Sequence, residues 1–111
     1  MKNKPIVVFC TTPDFDCAQN IAQSLVEKNI AACCNIVPGL TSVYSWDNKV
    51  QQDNEVLLII KSVQENFETL KNEIGLLHPY EVPEIISLDI KESSKEYLDW
   101  IVISTKGKNE N

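Results

Sequence analysis

Ala31-Ala32-Cys33-Cys34-Asn35-Ile36-Val37-Pro38-Gly39-Leu40-Thr41-Ser42-Val43-Tyr44-Ser45-Trp46 is the stretch on which the fold turns. It is rich in β-branched and aromatic residues, as strands are, and it is interrupted once, at Pro38-Gly39. A Pro-Gly pair ordinarily marks a turn, whereas a proline inside a sheet sits on an edge or at a bulge. Two readings follow: one bent strand, or two short strands. Asp47-Asn48-Lys49 comes next as a hairpin turn signal, and Val56-Leu57-Leu58-Ile59-Ile60 then reads as a strand buried on both faces.

Upstream, residues 5–10 form another continuous apolar, β-rich run. Thr12-Pro13 supplies a helix start, with a hydroxyl cap followed by proline at the first helical position. Ala18, Ile21, Ala22 and Leu25 repeat at helical spacing, which predicts an amphipathic helix over 13–28. Downstream, Ser62-Val63-Gln64-Glu65 has the form of a capping box, and Phe67, Leu70, Ile74 and Leu77 carry a second helix to Pro79. Residues 84–90 predict a fourth strand. Ser93-Ser94-Lys95-Glu96 opens a short last helix through Trp100 and Ile101. The order is β-α-β-β-α-β plus a terminal helix, an α+β arrangement of the ferredoxin-like type with one antiparallel sheet. Residues 1–103 are expected to form a single domain, and 104–111 a polar, disordered tail.

Composition narrows what such a domain does. With 111 residues, the chain builds one core and buries only about 65% of the surface its unfolded form exposes, so self-association is a natural expectation. Sixteen acidic residues against ten basic ones give a net charge of −6. Every basic residue is lysine. An acidic chain without arginine argues against nucleic acid as a partner and lacks the guanidinium fork favoured by phosphate sites. No stretch approaches the roughly 18 apolar residues of a membrane span. The run 6–10 is too short for a secretory signal, so the four cysteines are expected to be reduced thiols in the cytoplasm.

Because this fold class hosts many activities, particular residues must discriminate among them. The first strand offers only Phe9 for base stacking. No arginine is present for acyl-phosphate chemistry, and the Cys10–Cys17 spacing is not the C-x-x-C of a Cu(I) carrier. A thiol hydrolase would have to pair one of its cysteines with His78, the only histidine, and no nucleophile motif surrounds any cysteine. The expectation is a non-enzyme.

The stretch 31–46 resembles the signature A-A-C-x-N-I-x-P-G-x-x-S-x-Y-x-W of the CutA divalent-cation tolerance family. Glu55–Lys61, His78-Pro79-Tyr80-Glu81-Val82-Pro83-Glu84 and Tyr97-Leu98-Asp99-Trp100 are similar to its later blocks, in the same order. The resemblance implies a homotrimer in which the long second and third strands pair across subunits, making Pro38-Gly39 a bend in one strand. It also implies a role in tolerance to divalent metal ions, with no cofactor required and Cu(II) or another divalent metal as the candidate ligand. Cys10, Cys33 and His78 are then the candidate metal ligands. Imidazole suits Cu(II) and Zn(II), although a buried cysteine also serves as a small hydrophobe and a loop histidine as a hydrogen-bonded brace. Tyr44, Trp46, Lys61, Tyr80 and Glu84 are expected to cluster in a cleft between subunits, as a small-ligand pocket or as part of the interface. A small-molecule sensor or a protein-anchoring scaffold is the alternative function.

Overall fold

The computed structural model describes residues 4–106. The elements are β1 (Pro5–Thr12), α1 (Phe15–Glu27), β2 (Cys33–Trp46), β3 (Lys49–Val63), a single 3₁₀ turn (Gln64–Asn66), α2 (Phe67–Leu77), β4 (Ile86–Asp89) and α3 (Lys95–Ser104). All four strands join one antiparallel sheet in the order β2-β3-β1-β4. Alternate side chains of the central strands (Ile6, Val8 and Cys10 from β1; Leu58 and Ile60 from β3) point to one face and are fully buried there. Ile21 and Leu25 of α1 and Leu70 and Ile74 of α2 close over them to form the main core. Ile101 of α3 packs separately with Ala32 and Val63.

Within the stretch 31–46, residues 33–46 form one bent strand. Its register against β3 shifts between Val37 and Leu40, and Gly39 takes φ +83°, a left-handed conformation that glycine adopts without a Cβ clash. The hairpin turn follows from Asp47 (φ 55°) and Asn48 (φ 62°), both left-handed, as a two-residue turn matched to strand twist requires. Trp46 then pairs with Lys49, and β3 begins seven residues before the expected apolar run. Gln51, Gln52, Asp53 and Asn54 concealed that start, because polar residues of low β-propensity are held there by the ladder to β2 alone.

Three helix starts differ from expectation. Thr12 is the last residue of β1, its hydroxyl 3.1 Å from the carbonyls of Asp14 and Val56, so Asp14 caps α1 by accepting from the Cys17 N–H at 2.8 Å. Ser62 caps nothing. It lies buried in β3 and donates to the Ile30 carbonyl at 2.6 Å, and α2 begins only at Phe67. In α3 the cap is Ser94, one residue later than the motif suggested. β4 is shorter than the 84–90 run, and α3 continues to Ser104, beyond the expected helix end. Of the expected tail, residues 107–111 lie outside the described residues. Among the described residues, no helix is long and apolar enough to cross a membrane.

Candidate functional site

The proposed ligands Cys10, Cys33 and His78 are not brought together. Cys10 faces the helices, opposite Leu58, and is fully buried. Its thiol is pushed up to about 12, first by burial and then by the charge of Glu84, with smaller contributions from Cys17, Cys34 and Glu55. That thiol stays protonated near neutral pH, which disfavours both metal ligation and nucleophilic attack. Cys33 pairs in register with Lys61 and lies on the opposite face of the sheet, partly exposed, its sulfur 3.9 Å from Asn35 Oδ1. Cys34 is the inward-facing member of the pair, packed on the core and likewise pushed up to about 12, chiefly by burial.

His78 sits just past the end of α2 and is only 7% exposed. Its Nδ1 accepts from the Tyr80 N–H at 3.1 Å, which puts the proton of the neutral ring on Nε2, and Nε2 donates to the Thr11 carbonyl at 2.8 Å. Neither nitrogen keeps a free lone pair for a metal. The ring instead fixes the turn after α2 to the end of β1 and packs against Tyr80, the ring centroids 4.7 Å apart and the planes tilted by 53°. Among the described residues, no three His, Cys, Asp or Glu side chains are placed to share a metal ion.

The structure does assemble most of the expected cleft residues. A pocket of about 550 Å³ opens between the β2–β3 hairpin beyond the bulge and the loop that follows His78. Tyr44, Trp46 and Tyr80 supply its aromatic lining, and Glu84 reaches it from just before β4. Lys61 does not belong to it. That lysine lies six residues along β3 from Glu55, roughly 20 Å at strand rise, and binds Asn35. Three further carboxylates complete the wall: Asp53, Glu55 and Glu81.

Strand geometry explains the arrangement. Asp53 and Glu55 are two residues apart in β3, so they share a face, and register places Ser42 and Leu40 opposite them. Tyr44 donates its hydroxyl to Asp53, and Tyr80 donates to Glu55 Oε2 at 2.8 Å. Both phenols are raised above the usual tyrosine range, Tyr44 first by its bond to Asp53 and Tyr80 first by burial and then by its bond to Glu55. They remain protonated donors. Asp53 escaped the sequence reading because no alternation marks its strand. Glu55 stood inside a block of the family resemblance, which was the available signal.

The family described as CutA1 divalent ion tolerance protein matches residues 6–104. The divalent-cation tolerance protein CutA of Thermus thermophilus is 50% identical over 95 residues, covering 86% of this chain and 92% of that protein. The chloroplastic CutA of Arabidopsis thaliana is 46% identical over 101 residues, and this chain spans only 56% of its length. The crystal structure of CutA1 from Oryza sativa superposes with a TM-score of 0.90 at 43% identity, covering 93% of this chain and 94% of that one.

Proposed function

This chain belongs to the CutA1 divalent ion tolerance protein family, and on that premise we propose that it is a non-catalytic binding module of the response to divalent metal ions, copper foremost, working as a homotrimer. The observation that carries this reading is the charge of the pocket. Asp53, Glu55, Glu81 and Glu84 line it without a single lysine, which raises the local concentration of cations. The residues do not form a preassembled metal cage, so a divalent ion would be held by one or two carboxylates with water, or by ligands completed from a neighbouring subunit. No cofactor is required.

The reading as a non-enzyme is supported by the neutral Cys10 thiol and the fully engaged ring of His78, which leave no activated nucleophile–base pair between them. Self-association is supported by the sheet face turned away from α1 and α2. Val7, Phe9, Leu57 and Ile59 lie there beside Ile86 and Leu88, the last two 49% and 48% exposed. We read the strand order as the ferredoxin-like arrangement, with copies meeting on this face and along the hairpin. A cytoplasmic location belongs to the same proposal, and the four free cysteines fit it.

The test is calorimetric titration of Zn(II) and Cu(II) into freshly reduced protein, with Glu55→Gln alongside. Saturable binding that the variant loses supports the reading. Heat that never saturates in either protein overturns it. Light scattering on the eluting protein should give three chain masses, and a single chain mass refutes the trimer.

A second reading is favoured by the three aromatic rings of the same pocket: it holds a small organic molecule, and the metal response is secondary.

A further inference from the structure

We propose that the pocket beside the hairpin binds a small organic cation, an aliphatic amine with more than one positive charge, in preference to a bare metal ion; the proposal rests on the second reading above, that the pocket is a site for an organic ligand. Its first support is an unbalanced buried charge. Glu55 is only 8% exposed and forms no ion pair among the described residues. Tyr80 donates to its Oε2, while Oε1 has no hydrogen-bond partner among the described residues. No buried side-chain oxygen among the described residues lacks a partner, so Oε1 opens into the pocket, where a cation meets a carboxylate that no other charge neutralises.

Shape and lining then decide which cation. Some 550 Å³ is the size of a small organic molecule's site, many times the volume of one ion. No three potential ligands converge on a point among the described residues, as a metal held by protein ligands alone needs and an extended amine does not. The acids stand on two walls: Asp53 and Glu55 on β3, Glu81 and Glu84 on the loop before β4. Charges divided in this way suit ammonium groups separated by an alkyl chain. The rings of Tyr44, Trp46 and Tyr80 accept the chain by apolar contact and the ammonium groups by their negative faces. The two phenol hydroxyls are already spent on Asp53 and Glu55, so the pocket offers mainly acceptors.

Calorimetry with spermidine as the probe tests this, using glutarate as an anion of comparable size and Zn(II) as the metal. Spermidine should saturate at one molecule per chain and weaken tenfold or more in both Glu55→Gln and Trp46→Ala. Trp46 is 58% exposed in the single chain, so its removal spares the core, and far-ultraviolet circular dichroism and light scattering check the fold and the assembly of both variants. Glutarate should give no heat, and Zn(II) should not displace spermidine. Saturable Zn(II) binding lost in Glu55→Gln, with no saturable spermidine binding, overturns the amine while the pocket survives as a cation site. No saturable binding of either probe overturns the amine and leaves the pocket without a cation. Equal spermidine binding in all three proteins assigns the amine to the general acidic surface and also overturns the proposal.

Discussion

The β2–β3 ladder is one continuous run of hydrogen bonds with two different environments. Before the bulge, Cys34 and Ile36 lie opposite Ile60 and Leu58 under the helices, in a sealed apolar layer. Beyond it, the pairs from Leu40↔Glu55 to Trp46↔Lys49 carry the ladder outward with Val43 64% and Val50 80% exposed. The backbone bonding is alike in the two halves, so the difference lies in what the side chains bury. The inner half holds the fold together by apolar burial. The outer half, a two-stranded ribbon of the kind that is marginal on its own, is left to present Tyr44, Trp46, Asp53 and Glu55.

The sharpest break of this comparison is Leu58→Ala. Leu58 is fully buried in the inner half, and its loss should destabilise the protein by about 2–5 kcal/mol in urea denaturation at fixed protein concentration. A cost below 1 kcal/mol would mean the inner half is not the anchor. His78→Ala, at the join between the core and the pocket loop, comes next. Losing the bonds to Thr11 and Tyr80 should cost about 1–3 kcal/mol and leave Zn(II) binding unchanged. The reverse outcome, full stability with lost Zn(II) affinity, would make His78 a ligand.

Glu73 sharpens the comparison through pH. Its carboxyl is held below the usual range by the bond from Lys28 and then by the bond from Ser24, which donates at 2.5 Å and ties α1 to α2 over the inner half. A carboxyl lowered by folding adds stability above its unfolded pKa of about 4.3, and that stability is lost as pH falls through the folded value. Urea midpoints of wild type and Glu73→Gln should therefore differ at pH 6 and draw together as pH falls below the unfolded carboxyl value. A gap independent of pH would refute this. The smallest effect on stability belongs to the outer half: Val50→Thr should change it by less than about 0.5 kcal/mol. A larger loss that depends on protein concentration would place Val50 itself inside the contact between copies.

How much of this was legible in the sequence follows from the same division. Strands and helices that bury a face announce themselves by periodicity. Accordingly Ile6–Cys10, the Ala18–Leu25 stripe, Val56–Ile60 and the Phe67–Leu77 repeat were placed correctly, and with them the βαββαβ order. Capping signatures misled where a strand claimed the residue first, since Thr12 and Ser62 spend their hydroxyls on sheet and loop carbonyls. Of the five residues expected in a cleft between subunits, four line the pocket of the single chain, and Lys61 stands elsewhere along β3 of that chain.

By itself the sequence determined the fold class, the acidic balance and the family blocks, because each is written in local pattern and composition. Only the tertiary structure decided which side chains meet. Glu55 and Tyr80 come from elements far apart in the chain, and the outer part of β3 carries no pattern that foretells its register. The same holds for His78, whose residue type suits a metal while its two nitrogens are claimed by Thr11 and Tyr80. A side chain's chemistry belongs to its residue type, but its free valences are settled by its neighbours, and those are set by packing.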